Sequence, residues 1–380
     1  MPLLPALDLR FNLRVEGLAP DLPFLGPTVR GLLGYGLRQR CCGHAALDDG
    51  RCAMGDACAY SFLFEGPLQR RLHDAGISVD ALPQPFVLLV PSPAGRHEPM
   101  RHISFGIRLL GMATALAPEV VAAIRCRERY GFGARSLGYT LTSVSADGVP
   151  IWNRQNDPSV DALEDAARRV AARSGGESAT EHPIAPGIST LLWRFHTPVA
   201  LEESRSDHVN VAAVLLNSAA RRAWMLEQAY SPNRLLQRSL PTRIDGHGFV
   251  VREARLSPFQ FERRSTRHGR LVRLSGLVGS VAIEGPWRLH AQTLAAIRRY
   301  GVGQSTSFGF GRVEFEAEPT TAEHARCVTD TPDARRDSPK STATPLADCK
   351  EARSNAPRWI RLRGTPPVKR SRGSITLPGA

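Results

Sequence analysis

Two stretches of the chain alternate apolar and polar residues in the way that a half-buried strand requires. Residues 7–16 place an apolar side chain at every odd position and a polar one at every even position, which predicts a strand with one buried face. Residues 191–199 follow the same period less strictly. A helix with apolar residues three and four positions apart follows each strand, from Thr28 and near 209–228. The two halves of the chain therefore begin alike.

The two halves also end alike. The motif Tyr-Gly-x-Gly occurs at residues 130–133 and again at 300–303. Each copy precedes a strand pattern, at 137–141 and at 312–315. The shared openings and endings indicate an internal duplication. Strand, helix, strands, helix and strand in each half fit two ferredoxin-like modules in tandem, so the predicted fold class is α+β.

Composition shifts along the chain predict where these modules begin and end. We expect an N-terminal module over residues 1–150, a linker over 151–187 and a C-terminal module over 188–318. Within the linker, residues 159–173 fit an exposed helix. The basic tail, residues 319–380, is rich in Pro, Ser, Thr and Ala without an apolar period, so we expect it to be disordered.

Gly34 and Gly36 lie inside the first predicted helix, where each costs about 1 kcal/mol relative to Ala. Their presence predicts that something approaches the helix backbone closely. A ligand and tight helix–sheet packing both satisfy this requirement.

The positive charge of the chain is almost entirely arginine. The chain has 49 Lys and Arg against 36 Asp and Glu, a net charge of +13, and its only lysines are Lys340, Lys350 and Lys369. Every cation before residue 340 is therefore a planar donor that matches phosphate and stacks on bases. This charge favours RNA or DNA as a partner over a membrane.

Other features of the composition exclude several classes of protein. No apolar run approaches the ~18 residues of a membrane span, and Asp8, Arg10, Arg14 and Glu16 interrupt any secretory signal at the N-terminus. Seven cysteines, an odd number, argue against a disulfide framework. We expect reduced thiols and a cytoplasmic location.

Residues 300–313, YGVGQSTSFGFGRV, form a glycine-rich segment. Such a loop offers backbone N–H groups and hydroxyls and allows a phosphate backbone to come close. It is no Walker loop, because Gly-Lys-Ser/Thr is missing. It is no dinucleotide fingerprint either, because a strand follows instead of a helix.

An arginine-rich, hydroxyl-bearing block precedes this loop, FQFERRSTRHGRLVRLSGLVGSVAI at residues 259–283. Together with the glycine loop and with RGLLGYGLRQRCC (30–42), CAYSFLFE (58–65) and FGIRLLG (105–111), it resembles the CRISPR precursor-RNA-processing endoribonucleases of the RAMP superfamily. The resemblance covers roughly residues 7–316. It departs at His268, where the family pattern has Gln.

The resemblance implies a metal-independent endoribonuclease without a cofactor, whose N-terminal module is catalytic. It would cut a CRISPR transcript once per repeat by attack of the RNA's own 2′-hydroxyl, leaving a 2′,3′-cyclic phosphate and a 5′-hydroxyl. His44, just after the first helix, is the candidate general base. Because no lysine lies nearby, Tyr35, Arg38 or Arg30 would supply a hydroxyl or transition-state charge.

The candidate RNA-binding residues lie mainly in the C-terminal module. The arginine block contributes Arg263, Arg264, Arg267, His268 and Arg270, which would grip phosphates and stack through their planar groups. Arg30 joins them from the first helix. The glycine loop contributes Gly301, Gly303, Gln304, Ser305, Thr306 and Ser307. The expected partners are the repeat RNA and other CRISPR effector subunits.

Two alternatives remain open from the sequence. A RAMP-type subunit could bind a mature crRNA without cutting it. A metal or redox protein could instead be built on Cys41, Cys42, Cys52 and Cys58, with His44 as a further ligand. The cysteine spacing lacks the C-x2-C pair, and adjacent Cys41 and Cys42 fit one tetrahedron poorly, so this alternative is the weaker one.

Overall fold

The structure is a computed structural model of the 380-residue chain. It describes residues 3–19, 24–41, 54–66, 82–93, 100–131, 133, 136–173, 189–201, 210–232, 241–264 and 271–318. His44, the cysteines at 42 and 52, the hairpin tip at 265–270 and the predicted tail at 319–380 lie outside these ranges.

The N-terminal module is a five-stranded antiparallel sheet with helices packed against it. Its sheet order is β2-β3-β1-β4-β5, so the first four strands have the ferredoxin-like arrangement with β1 and β3 at the centre. Its elements are β1 (Ala6–Ala19), α1 (Gly26–Cys41), α2 (Ala59–Phe64), β2 (Phe86–Leu89), β3 (Met100–Leu110), α3 (Ala117–Cys126), β4 (Tyr139–Ala146), β5 (Val149–Asn153) and α4 (Val160–Arg173).

The C-terminal module repeats this arrangement. Its four-stranded antiparallel sheet has the order β7-β8-β6-β9, which matches β2-β3-β1-β4 of the first module. Its elements are β6 (Thr190–Val199), α5 (Val211–Tyr230), β7 (Val250–Arg264), β8 (Leu271–Glu284), α6 (Ala291–Tyr300) and β9 (Val313–Glu318). The prediction of an α+β fold with two ferredoxin-like modules is confirmed.

The repeated Tyr-Gly-x-Gly motif occupies the same place in both modules. It follows the helix that leads to the last strand of the ferredoxin-like unit, α3 with its short 3-10 extension in one module and α6 in the other. The glycines at 131, 133, 301 and 303 all have φ between 71° and 82°, a range that L side chains rarely adopt. The common topology and the common turn support the predicted duplication.

The N-terminal module extends beyond the predicted boundary at residue 150. Trp152 of β5 is buried, and α4 packs its small apolar face, with Leu163 and Ala167, into the same core as the central strands. The predicted helix at 159–173 is therefore present, but it is packed against α3 instead of fully exposed. Residues 151–173 belong to the module, and the predicted linker is correspondingly shorter.

The two helix glycines allow other helices to approach α1 closely. A Cβ atom on Gly36 would lie 2.3 Å from the carbonyl oxygen of Ala123 in α3, and one on Gly34 would lie 3.3 Å from the Phe64 ring of α2. The predicted apolar face of α1 is buried. The close approach inferred from the sequence is thus helix–helix packing, and neither a ligand nor helix–sheet packing is needed to explain these glycines.

A continuous core joins the two modules. The larger cluster of buried residues contains the central strands of the first module together with Trp224, Tyr230 and Tyr300 of the second. The Arg108 side chain on β3 donates to the backbone oxygens of Arg298 (2.7 Å) and Arg299 (3.0 Å) at the end of α6. A cation at this position offsets the partial negative charge of a helix C-terminus.

A buried acid lies in the same interface. The Tyr300 hydroxyl accepts a hydrogen bond of 2.6 Å from the Leu4 N–H and is hydrogen-bonded to the Glu227 side chain of α5. Glu227 is only 8% exposed. Burial raises the pKa of its carboxyl group to about 7, because a low-dielectric surrounding disfavours the charged form.

Candidate nucleic-acid interface

The long β7–β8 hairpin carries arginines in two different electrostatic situations. The Arg273 side chain on β8 forms an ion pair with Glu262 (2.7 Å), and Arg252 and Arg255 are paired as well. Arg263 has no carboxylate partner among the described residues. It therefore keeps an uncompensated charge close to the tip of the hairpin.

Arg263 stacks on an aromatic ring of the glycine loop. Its guanidinium lies 4.5 Å from the centre of the Phe308 ring, and the guanidinium of Arg30 lies 4.4 Å from the same ring. Arg30 is on α1 of the other module and also hydrogen-bonds Gln84 Oε1 (2.6 Å) and the Ser307 carbonyl oxygen (3.4 Å). Phe308 thus holds one arginine from each module.

The stack continues along α1 into the N-terminal module. Arg30 also lies 4.7 Å from the Phe64 ring. Phe64 and Tyr60 of α2 are stacked with centroids 5.2 Å apart, and Arg38 lies 4.8 Å from the Tyr60 ring. We call the resulting row the cation–aromatic ladder, and its members in order are Arg38, Tyr60, Phe64, Arg30, Phe308 and Arg263.

The ladder concentrates positive charge without neutralising it. Within the described part of the chain, none of its three arginines forms an ion pair with a carboxylate. Burial, followed by repulsion from Arg263, lowers the pKa of the Arg30 guanidinium to about 9, and burial lowers the pKa of Arg263. Two like charges that flank one ring favour an anion nearby, and planar guanidinium groups suit a phosphate diester.

Most backbone N–H groups of the glycine loop donate hydrogen bonds within the protein, to the loop itself and to neighbouring elements. The Val302 N–H donates to Gly311 (3.0 Å), Gln304 N–H to Ala200 (2.8 Å) and Gly311 N–H to Pro198 (2.8 Å). The N–H groups of Gly301, Gly303, Phe308, Gly309 and Phe310 also donate within the protein. The expectation of a loop that offers free backbone amides is therefore wrong for most of its length.

The predicted loop contacts divide into two groups. Gly301 and Gly303 face the protein, since a Cβ atom would lie 3.0 Å from the Gly311 carbonyl oxygen and 2.3 Å from that of Ala200. Thr306 is 3% exposed, so these three residues shape the loop instead of presenting a surface. Gln304 is exposed, and Ser305 and Ser307 are partly exposed, so they stay candidates for contact with RNA.

Of the predicted catalytic residues, Tyr35 and Arg38 lie on the exposed side of α1, close to its C-terminal end. Tyr35 is 45% exposed, and the guanidinium of Arg127 lies 5.7 Å from its ring. The helix ends at Cys41, three residues before His44. The side chain of Arg264 and residues 267, 268 and 270 are outside what the structure describes.

Sequence reasoning missed the aromatic members of the ladder. Tyr60 and Phe64 were part of the quoted block CAYSFLFE, and their spacing of four places both on one face of a helix. Arg30 and Arg38 are eight residues apart on α1, which is twice that spacing. The matching spacings of the aromatic pair and the arginine pair are the sequence signal that could have predicted contact between α2 and α1.

Three members of the cysteine-cluster alternative, Cys42, His44 and Cys52, lie outside the described residues. Among the residues that the structure describes, no three His, Cys, Asp or Glu side chains are grouped to hold a metal ion. Burial and then the neighbouring Cys58 raise the pKa of the Cys41 thiol. Separately, none of the described helices is both long and apolar enough to cross a bilayer.

Comparison with protein families gives two matches that follow the module boundary. A family model of an N-terminal domain matches residues 4–165. The model of the CRISPR-associated endoribonuclease Cas6 matches residues 193–313, which include the β7–β8 hairpin and the glycine loop. The resemblance identified from the sequence is confirmed by this match.

Several solved structures align with most of the chain. A Cas6 product complex has a TM-score of 0.46 and 15% identity, over 82% of this chain and 100% of that one. Thermus thermophilus Cas6 has a TM-score of 0.40 and 16% identity over 82% and 99%. A RAMP protein bound to different RNA substrates has a TM-score of 0.41 and 10% identity over 82% and 99%. No curated protein matches the chain.

Proposed function

We propose that this chain is an endoribonuclease that cuts precursor CRISPR RNA within each repeat, a proposal supported by the match of residues 193–313 to the model of the CRISPR-associated endoribonuclease Cas6. The nucleophile is the 2′-hydroxyl at the cut site, which attacks the adjacent phosphate. The products are a 2′,3′-cyclic phosphate and a 5′-hydroxyl, and no metal ion takes part.

The observation that carries this proposal is the cation–aromatic ladder. It extends from Arg38 on α1 to Arg263 on the hairpin, so one strand of RNA laid along it would touch both modules. Its arginines have no carboxylate partner among the described residues, and guanidinium groups without a carboxylate partner suit a phosphate backbone.

Each step of the proposed reaction has a candidate in this chain. His44 takes the proton of the 2′-hydroxyl. Arg38 stabilises the charge that develops on the phosphorane, with Arg30 next along the ladder, because no lysine is available before residue 340. Tyr35, exposed one turn before Arg38, supplies a proton to the leaving 5′-oxygen. Binding along the ladder holds the scissile nucleotides in line.

The cellular setting follows from this chemistry. The substrate is the repeat transcript, the product is a crRNA, and we propose that the chain works in the cytoplasm. Retention of the crRNA would bring it into contact with other CRISPR effector subunits. A chain that binds repeat RNA tightly and never cuts it would instead be a crRNA-binding subunit.

Arg263→Ala tests the ladder, and Arg273→Ala is its matched control. Both remove one arginine from the same hairpin, but Arg273 is already paired with Glu262. We expect Arg263→Ala to raise the Kd for a repeat RNA about tenfold at low salt and to reduce the slope of log K against log salt by about one. We expect Arg273→Ala to change the Kd less than about twofold.

The measurement is a filter-binding or fluorescence-anisotropy titration at four salt concentrations. Equal losses of affinity in the two variants would contradict the proposal, because they would indicate that only the net charge matters. The cleavage rate of both variants at saturating RNA, measured in parallel, separates binding from chemistry.

A further inference from the structure

A second cluster of aromatic rings and a cation lies on the N-terminal module, outside the ladder. Tyr130 is 50% exposed and Tyr35 is 45% exposed. Arg127 lies between them, with its guanidinium 4.5 Å from the Tyr130 ring and 5.7 Å from the Tyr35 ring. The Gln39 side chain donates a hydrogen bond of 2.9 Å from Nε2 to the Tyr130 hydroxyl.

These contacts fix the Tyr130 ring while leaving much of it open. Tyr130 directly follows the 3-10 turn Arg127–Arg129, and its N–H donates to the Arg127 carbonyl oxygen (2.9 Å). One face of the ring is covered by the guanidinium and its hydroxyl is held by Gln39, so its rotation is restricted. A large exposed ring held in one orientation loses little entropy when a flat ligand stacks on it.

The charge of Arg127 is also uncompensated. It forms no ion pair with any carboxylate that the structure describes, whereas its neighbours Arg125 and Arg154 both pair with Glu128 (2.7 Å each). A guanidinium beside two exposed rings suits a ligand that combines a flat π system with negative charge. An unpaired nucleotide has both properties.

From this geometry we propose that Tyr130, backed by Arg127 and bounded by Tyr35, is a stacking site for one unpaired nucleobase of the bound RNA. The inference rests on the proposed function and adds a binding position for one nucleotide of the RNA substrate. Tyr35 and Gln39 are on the α1 face next to Arg38, so the stacked base belongs to a nucleotide close to the cut. When this base stacks on Tyr130, it no longer stacks on the adjacent base of the RNA. The RNA backbone between the two nucleotides can then adopt the geometry for in-line attack.

The test compares Tyr130→Ala with Tyr130→Phe, which keeps the ring and loses only the hydroxyl. Loss of a stacked base costs about 1–3 kcal/mol, so we expect Tyr130→Ala to raise the Kd for a repeat RNA about 5- to 150-fold. We expect Tyr130→Phe to stay within about threefold of the wild type. RNAs with a single abasic nucleotide near the cut site should identify the stacked position, because one of them should bind the wild type more weakly than the intact RNA does. Tyr130→Ala should bind that abasic RNA and the intact RNA equally well.

Two further readouts make the outcomes distinguishable. Fluorescence of 2-aminopurine at the position found by the abasic scan should be quenched by wild type and by Tyr130→Phe, and not by Tyr130→Ala. Binding of a 15-mer of uridine tests stacking apart from cleavage, since stacking tolerates any base. RNA binding that depends on Tyr130, without any cleavage, would refute the proposed nuclease activity and support the stacking site. An affinity of Tyr130→Ala equal to that of the wild type would refute the stacking site.

Discussion

Replacing His44 by Ala is expected to slow cleavage of a repeat RNA by about 10²–10⁴-fold, the usual contribution of a general base, without changing the Kd for that RNA. The reason is positional. His44 follows the end of α1 by three residues, and the exposed side of α1 carries Tyr35 and Arg38 near that end. The proposed base therefore follows closely in sequence the helix that carries the proposed proton donor, Tyr35, and the proposed phosphorane-stabilising group, Arg38.

His247→Ala is the matched control for this experiment. The His247 side chain is 94% exposed and lies 3.9 Å from the Asp245 carboxylate, so its removal should leave the cleavage rate unchanged. Single-turnover rates at saturating protein give the chemical step, and a titration gives the Kd. Cleavage by His44→Ala within about threefold of the wild-type rate would show that another group is the base.

Glu227→Gln is expected to alter how the stability of the protein depends on pH. In the folded chain, burial holds the pKa of the Glu227 carboxyl at about 7, against an ordinary value near 4.3 in the unfolded chain. The folded state therefore binds the extra proton between these two values. The stability that this provides is complete below about pH 4 and is lost as the pH rises through 7.

Urea unfolding at pH 5 and pH 8 measures this effect. Between pH 5 and pH 8, the free energy of unfolding of the wild type should fall by about 2–3 kcal/mol more than that of Glu227→Gln. The reason is that Gln stays neutral and can still accept a hydrogen bond from the Tyr300 hydroxyl. Comparing the two proteins cancels all other titrating groups. A difference in stability that is the same at both pH values would show that the Glu227 carboxyl is not perturbed in the folded state.

Much of the fold could be predicted because its signals are local. The alternation over residues 7–16 became β1, and the apolar face of the first helix became the buried face of α1. The repeated Tyr-Gly-x-Gly motif marked the end of each module. Positive φ at all four glycines is a backbone requirement that only glycine meets easily, so the motif was visible in the sequence alone.

The features that escaped prediction depend on contacts between distant residues. The ladder requires Arg263 and Arg30 to meet on Phe308, and nothing near any of these positions indicates the other two. The amide groups of the glycine loop were expected to be free because composition does not reveal that Ala200 and Pro198 accept from them. The sequence pattern predicted an exposed helix near 160–173 because its apolar face, with Leu163 and Ala167, is narrow.

Cleavage of a labelled repeat RNA in excess EDTA, beside the same RNA with a 2′-deoxy nucleotide at the cut site, tests the central claim most directly. The account predicts a single cut that persists in EDTA and disappears with the 2′-deoxy substrate, since the nucleophile belongs to the RNA. Loss of cleavage in EDTA would contradict it by requiring a metal ion. Cleavage of the 2′-deoxy substrate would contradict it by requiring water as the nucleophile.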